Sequence, residues 1–280
     1  MSSPAQRYAA ARDRARYPHL REFTETLEFP LDDFQEEAAR HVEDGKGVLV
    51  AAPTGAGKTV VGEFAVHLAL ATGRKAFYTT PIKALSNQKY HDLVATYGAE
   101  RVGLLTGDAS INGEAPVVVM TTEVLRNMMY AASSTLVGLG FVVMDEVHYL
   151  ADRFRGAVWE EVIIHLPASV QVVSLSATVS NAEEFGAWLA EVRGEHEIVV
   201  SEHRPVPLWQ HLMVGRELFD LFDSDRVSSE VIQAIRNAEH RGAWVEQAGA
   251  HPGVGRVGRG RARRDGGPRR SGGPGRGGGA

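Results

Sequence analysis

Cysteine is absent from the 280 residues of the chain, so disulfide scaffolds, thiolate zinc sites and cysteine nucleophiles are all excluded. No apolar run approaches the ~18 residues that a membrane span needs. Residues 1–20 also lack the apolar core of a secretory signal. Apolar residues make up 44% of the chain, which is enough for the core of one or two domains. We therefore predict a soluble, cytoplasmic protein with no membrane partner.

Positive charge is scarce over most of the chain and concentrated at its end. The net charge is −5, yet residues 251–280 hold eight arginines and one aspartate, and removing this +7 leaves −12 on residues 1–250. The same tail holds 12 of the 30 glycines and almost no large apolar side chain. Such a segment buries too little surface to offset the entropy of ordering it. We predict that residues 249–280 form a disordered Gly/Arg-rich tail suited to salt-sensitive contacts with RNA.

Short β-rich runs alternate with helical stretches in the part of the chain that precedes this tail. Several runs are apolar at successive positions, as expected of strands that are buried on both faces. Strands separated by helices predict an α/β fold, in which a parallel sheet is flanked by helices and ligands bind at the carboxyl ends of the strands. The predicted strand runs are residues 47–53, 75–81, 101–107, 116–122, 140–146, 171–177 and 197–203.

The same composition shifts predict four segments along the chain. Residues 1–26 form an N-terminal arm with arginines at positions 7, 12, 14 and 16, which favours a solvated helix or loose arm over a nucleic-acid contact. Residues 27–203 form the α/β domain. Residues 204–248 are a linker with a helical segment, and residues 249–280 are the disordered tail.

Residues 51–59 match a phosphate-binding loop, with Ala52 in place of the usual first glycine. The run before them is a predicted strand and the stretch after them is helical, as this loop requires. Glycines let backbone N–H groups approach phosphates closely, Lys58 should reach the β- and γ-phosphates of ATP, and the Thr59 hydroxyl should ligate Mg²⁺. A chance glycine-rich turn is the alternative. The predicted ATP-binding residues here are Pro53, Thr54, Gly55, Ala56, Gly57, Lys58 and Thr59.

A second part of a hydrolytic site lies at the end of the run 140–146. Asp145 is suited to hold Mg²⁺ through water, and Glu146 is suited to deprotonate the attacking water. Alone, this dipeptide is equally an acidic helix N-terminus. Together with Lys58 and Thr59 it predicts a hydrolase, in which Lys58, Asp145 and Glu146 are catalytic and Thr59 and Asp145 hold the metal.

With Asp-Glu-Val-His at 145–148, the chain resembles the superfamily 2 DExH-box helicases, and among them the superkiller-like branch of exosome-associated RNA helicases and their bacterial relatives. The resemblance covers residues from about Phe29 to Leu212. It implies a RecA-like P-loop NTPase domain that uses ATP and Mg²⁺ as cofactors. It also implies single-stranded nucleic acid as partner, RNA in preference to DNA, and the RNA-degradation machinery as a further partner.

The resemblance implies roles for further residues. Phe29 would stack on adenine, Gln35 would read its edge, and His148 would bridge the carboxylates to a coupling motif at 176–178. Three further motifs begin at Thr80, Thr106 and Thr121, and we call them the first, second and third strand-contacting motifs because they resemble segments that contact a nucleic-acid strand. Singly, such motifs are ordinary turns or helix caps. Their order and their positions after predicted β-strands favour contacts to the nucleic-acid backbone. The implied nucleic-acid-binding residues are Thr80, Pro81, Lys83, Asn87, Gln88, Thr106, Gly107, Asp108, Thr121 and Thr122, and the implied coupling residues are Ser176, Ala177 and Thr178.

Members of this family place ATP between two RecA-like domains, and the second domain supplies an arginine finger. Residues 204–248 are too few for such a domain, and the Gly-Arg repeat at 255–260 resembles the finger motif only in composition. We therefore predict the first motor domain of an ATP-dependent RNA helicase, in a truncated or fragmentary product with little unwinding activity of its own. The alternatives are a non-catalytic ATP-dependent RNA-binding or scaffold module and, against the motifs at 145–148 and 176–178, a small kinase.

Overall fold

The computed structural model of the chain describes residues 16–153, 155–177, 182–224 and 226–248, with backbone alone for 240–248. The predicted tail at 249–280, the coupling residue Thr178 and the arginines at 7, 12 and 14 lie outside these ranges. The chain divides into two units, of which the first ends at Pro207 and the second begins at Leu208. None of the helices in the described ranges has the length and apolar character that crossing a membrane requires.

One large sheet forms the centre of the first unit. In the described residues it has eight strands in the order β4-β3-β5-β2-β6-β7-β1-β8, and neighbouring strands are parallel except for β4, which pairs antiparallel with β3. Every predicted run overlaps one of these strands, which confirms the α/β prediction. The strands are β1 (Gly47–Ala51), β2 (Lys75–Thr80), β3 (Val102–Leu105), β4 (Ser110–Ile111), β5 (Val117–Thr121), β6 (Leu139–Met144), β7 (Gln171–Ser176) and β8 (His196–Val200).

Helices cover both faces of this sheet, as the apolar strands predict. Along β1, Val48 belongs to one buried cluster and Leu49 to the other, because successive side chains of a strand point to opposite faces. The first cluster includes residues of α1–α4, and the second includes residues of α5–α7. The helices are α1 (Pro18–Glu25), α2 (Asp33–Glu43), α3 (Thr59–Ala71), α4 (Lys83–Tyr97), α5 (Thr122–Tyr130), α6 (Gly156–His165) and α7 (Ala182–Arg193).

The N-terminal helix α1 packs on the domain, which corrects the expectation of a solvated helix or loose arm for this part of residues 1–26. Leu20 and Phe23, three positions apart on one face, are both buried, and the Phe23 ring lies 5.5 Å from the ring of Phe64 in α3. The Glu43 carboxylate also accepts hydrogen bonds from the main-chain N–H groups of His19 and Leu20, each 2.9 Å long. Two buried apolar side chains outweigh the helix's charged, solvent-facing positions.

The second unit contains more regular structure than the predicted linker with a helix. A helix, α8 (Ser229–Ala248), is present, and it follows strands β9 (His211–Val214), β10 (Glu217–Asp220), β11 (Phe222–Asp223) and β12 (Arg226–Val227). Strands β9 and β10 pair antiparallel through a two-residue turn. Gly215 opens this turn with φ +68, a conformation that glycine adopts without strain. The sequence analysis did not identify this hairpin.

Candidate nucleotide and nucleic-acid site

The predicted motifs lie along one edge of the sheet, at the carboxyl ends of the parallel strands. The phosphate-binding loop follows β1, Ser176 ends the neighbouring β7, and Asp145 follows β6, which is next in the sheet. The strand-contacting motifs follow β2, β5 and β3, which are also neighbours. The strand order therefore divides the edge into a predicted nucleotide half and a predicted nucleic-acid half, and β6 and β2 meet at the boundary.

The phosphate-binding loop depends on two glycines in a left-handed conformation. Gly55 has φ +86 and Gly57 has φ +82, a region that residues with a Cβ atom rarely adopt. A Cβ atom on Gly57 would also lie 2.5 Å from Nε2 of Gln35. The loop is thus a backbone cradle that a larger residue would fill, as phosphate binding through main-chain N–H groups requires.

Lys58 lies within this loop rather than in solvent. Its Nζ atom donates hydrogen bonds to the carbonyl oxygens of Ala52 at 2.8 Å and Pro53 at 3.0 Å. Burial lowers the pKa of Lys58, and the nearby carboxylates of Glu146 and Asp145 partly oppose this effect. A phosphate oxygen is a stronger partner for an ammonium group than a neutral carbonyl, so the lysine has a reason to exchange partners when a nucleotide binds.

Both oxygens of Asp145 are occupied by donors. The Tyr78 hydroxyl donates to Oδ2 at 3.0 Å, and the main-chain N–H of Glu146 donates to Oδ1 at 2.9 Å. Burial raises the pKa of Asp145, while the hydrogen bond from Tyr78 and the charge of Lys89 lower it. The carboxylate is therefore fixed in orientation and partly desolvated, a condition that favours a nearby cation.

Glu146 combines an unusual backbone conformation with a half-buried side chain. Its φ of +56 is left-handed for a residue with a side chain, which is a form of strain that proteins retain mainly at functional sites. Its Oε2 atom lies 3.3 Å from Nδ1 of His148. Burial, and next the negative charge of Asp145, raise the pKa of Glu146. A carboxylate with a raised pKa accepts a proton more readily, as a general base must.

Residues of the phosphate-binding loop, together with Asp145 and Glu146, line a cavity of about 370 Å³. Its donor set suits Mg²⁺, because the Thr59 hydroxyl and the Asp145 carboxylate are hard oxygen ligands. No group of three or more metal-binding side chains of His, Cys, Asp or Glu occurs in the described residues. The lining residues are Thr54, Gly55, Gly57, Lys58, Thr59, Thr80, Leu85, Gln88, Lys89, Asp92, Asp145 and Glu146.

Gln35 and Phe29, the residues implied in adenine recognition, occupy different environments. Gln35 is buried, its Oε1 accepts from the Asp32 N–H at 2.9 Å, and its Nε2 donates to the Gly57 carbonyl at 3.0 Å. The Phe29 ring is 52% exposed. Gln35 thus couples the start of α2 to the phosphate-binding loop, and its contact with adenine stays a prediction.

The first strand-contacting motif is tied to its neighbours by side-chain contacts. Thr80 shares a 2.7 Å hydroxyl hydrogen bond with Ser86. Lys83 forms an ion pair with Asp108, whose other oxygen accepts a 3.1 Å hydrogen bond from the Thr106 hydroxyl. Of the other residues in this group, Pro81 and Thr122 are buried, Asn87 and Thr121 are half-buried, and Gly107 and Gln88 are exposed.

The coupling motif is only partly described. The main-chain carbonyl of Ser176 accepts a 3.1 Å hydrogen bond from the Ala52 N–H, which joins the end of β7 to the start of the phosphate-binding loop. Ala177 follows it, and Thr178 lies outside the described residues.

Three contacting residues were missed by the sequence analysis: Tyr78 and Lys89 beside Asp145, and Arg155, which reaches the first strand-contacting motif. A lone tyrosine in a buried strand carries no motif signal, and neither does a single lysine in a helix or a single arginine just before one.

Comparisons with known proteins show which helicases the chain resembles. A family model described as DEAD/DEAH box helicase matches residues 32–185. The chain is 71% identical over 206 residues to the probable helicase HelY of Mycobacterium leprae, covering 74% of this chain and 22% of that protein. It is 48% identical over 203 residues to human Superkiller complex protein 2, covering 70% of this chain and 16% of that protein.

The fold itself also has a solved counterpart. The crystal structure of helicase MrfA bound to DNA superposes with a TM-score of 0.55 and 20% sequence identity, covering 66% of this chain and 29% of that one. This confirms the RecA-like architecture with a parallel sheet flanked by helices. The chain spans about a fifth of the length of the curated relatives described above.

Proposed function

The chain belongs to the DEAD/DEAH box helicase family, and on that premise we propose that it is the first motor domain of an ATP-dependent RNA helicase of the superkiller-like branch. The observation that carries this proposal is the convergence of Lys58, Asp145 and Glu146 on one cavity at the carboxyl edge of the sheet. The high identity to HelY and to the human superkiller protein supports the branch.

In the proposed reaction the chain binds the phosphates of ATP with its loop. Main-chain N–H groups around Gly55 and Gly57 would face the phosphates, aided by the N-terminus of α3. Lys58 would leave the carbonyls of Ala52 and Pro53 for phosphate oxygens. Bound Mg²⁺ supplies charge neutralisation at the phosphates, and Thr59 and Asp145 are the residues that would hold it.

Glu146 is the proposed general base. Its raised pKa and its position in the cavity beside Asp145 suit a carboxylate that takes a proton from the attacking water. His148, 3.3 Å from the Glu146 carboxylate, would orient that group. Ser176, whose main-chain carbonyl accepts a hydrogen bond from the Ala52 N–H, would couple a change at the phosphate-binding loop to β7.

The nucleic-acid partner is proposed to be single-stranded RNA. The motifs after β2, β5 and β3 contain hydroxyl, amide and lysine side chains that contact phosphate oxygens without reading bases. RNA in preference to DNA, and the RNA-degradation machinery as a partner, rest on the resemblance to the superkiller-like branch. A cytoplasmic location stays a prediction from the sequence.

Phosphate release by the 280-residue chain tests this proposal. We expect turnover that single-stranded RNA stimulates more than single-stranded DNA of the same sequence, and that is lost in Glu146→Gln. Stimulation by DNA alone would overturn the RNA assignment. If RNA binding depends on ATP but wild type releases no more phosphate than Glu146→Gln, the chain is instead the non-catalytic RNA-binding module.

A further inference from the structure

Tyr78 has a buried hydroxyl directed at a residue of the proposed metal site. It lies in the middle of β2, its side chain is fully buried, and its hydroxyl donates to Oδ2 of Asp145 at 3.0 Å. Strands β2 and β6 are neighbours in the sheet, so this contact crosses the boundary between the two halves of the functional edge. The ring lies among apolar core residues, whereas the hydroxyl contacts Asp145, which lines the cavity.

Lys89 contacts the ring of the same tyrosine. Its Nζ atom lies 5.4 Å from the centroid of the Tyr78 ring and 3.0 Å from Oε1 of Glu63 in α3. The Lys89 side chain is only 11% exposed, so the contact between cation and ring is largely shielded from water, where such contacts are strongest. Lys89 belongs to α4, the helix that also carries Lys83, Asn87 and Gln88.

We propose that Tyr78 is a positioning residue for Asp145, and that Lys89 makes this positioning depend on the placement of helix α4. The inference rests on the proposed function, in which Asp145 holds Mg²⁺. The terminal torsion of an aspartate is broad, so a carboxylate with one donor fewer samples more orientations. With Oδ1 bonded to the Glu146 N–H and Oδ2 to Tyr78, the carboxylate keeps one orientation in which its remaining lone pairs are free for a hydrated cation.

A purely structural tyrosine would also be buried and hydrogen-bonded, and the two roles differ in what they affect. A structural role acts on stability and on all ligand binding alike. A positioning role acts on the part of nucleotide affinity that depends on Mg²⁺. Loss of a positioning role leaves the affinity for metal-free ATP unchanged. The reason is that none of the described hydrogen bonds joins the Tyr78 hydroxyl to the phosphate-binding loop or to Lys58.

The test is calorimetric titration of ATP with Mg²⁺ and with EDTA, for wild type and Tyr78→Phe. Phenylalanine keeps the ring and removes one oxygen. We expect Tyr78→Phe to need about 10-fold more Mg²⁺ for half-maximal enhancement of ATP binding, as for other residues that orient a metal ligand, with metal-free affinity unchanged. Tyr97→Phe is the matched control, since Tyr97 lines a different cavity with Phe23 and His67.

Lys89 provides a second variant that leaves the tyrosine intact. Lys89→Met keeps the length of the side chain without its charge, and we expect a shift of about two- to fivefold in the same direction. Lys89→Arg keeps the positive charge, so it should need the same Mg²⁺ concentration as wild type. Thermal melts of all variants show whether each one folds.

The outcomes separate the two proposals. If wild type shows no Mg²⁺-dependent gain in ATP affinity, the proposed function is wrong regardless of Tyr78. If wild type shows the gain and Tyr78→Phe matches it, the positioning role is wrong. Equal loss of metal-free and Mg²⁺-dependent binding in Tyr78→Phe would assign the tyrosine a structural role and would also overturn the inference.

Discussion

The guanidinium group of Arg155 donates a hydrogen bond of 2.9 Å to the main-chain carbonyl of Pro81. Arg155 lies just before α6 and its own N–H donates to the Asp152 carboxylate at 2.9 Å. Pro81 belongs to the first strand-contacting motif, at the start of α4. The contact therefore joins the segment that follows Asp145 and Glu146 to the predicted nucleic-acid half of the edge.

We predict that Arg155→Ala weakens single-stranded RNA binding about 10-fold and leaves ATP affinity unchanged. A hydrogen bond from a charged donor is worth about 1.5–3 kcal/mol, and its loss loosens the backbone around Pro81. Fluorescence anisotropy of a labelled single strand measures the effect. Arg74→Ala is the matched control, because Arg74 donates to the Ser169 carbonyl at 2.8 Å at the opposite edge of the sheet. Equal RNA affinities for the two variants would contradict the prediction.

Substitutions of Asp145 and Glu146 should have different effects on ATP binding and on turnover. Glu146→Gln should keep Mg²⁺-ATP affinity within about twofold and abolish phosphate release, because it removes the base but not the metal ligand. Asp145→Asn should remove the gain in affinity that Mg²⁺ gives. Calorimetry and a phosphate-release assay on both variants measure this. Indistinguishable Mg²⁺ dependence in the two variants would show that the division of roles is wrong.

The raised pKa of Glu146 predicts how stability without nucleotide changes with pH. Burial and the Asp145 charge raise the pKa of Glu146 in the folded state above its value in the unfolded chain. Protonation thus favours folding at low pH, and this contribution is lost as pH rises through the folded pKa. Glu146→Gln should therefore melt at a higher temperature than wild type at pH 7, and the difference should shrink as pH falls towards 4. A difference that grows on acidification would contradict this.

Much of the fold follows from the sequence because buried parallel strands carry a local signal. Runs such as 140–146 are apolar at successive positions and end in the residues of a motif, so both the strand and the site at its end are predictable. Strand order is not, because the sequence contains no local record of which strands pair. The placement of β2 between β5 and β6, which brings Tyr78 to Asp145, emerges only in three dimensions.

The features that the sequence analysis missed are short or depend on distant partners. Strand β4, Ser110–Ile111, has two exposed residues and therefore no apolar pattern. Helix α1 has a charged sequence in which only Leu20 and Phe23 show its packing face. Arg155 contacts a carbonyl that lies 74 residues away in the sequence. Lys89 contacts the aromatic ring of Tyr78 in the preceding strand, and no spacing rule identifies either contact.

The most direct measurement is the affinity of the chain for Mg²⁺-ATP by calorimetry, in wild type, Lys58→Ala and Lys46→Ala. Lys46 pairs with Glu197 at 2.6 Å before β1, away from the cavity, and serves as the control. Loss of the charge-assisted contact of Lys58 costs about 1.5–3 kcal/mol, which at about 1.4 kcal/mol per decade corresponds to one to two decades of affinity. We predict this loss for Lys58→Ala and wild-type affinity for Lys46→Ala. Unchanged affinity in Lys58→Ala would contradict the assignment of the nucleotide site.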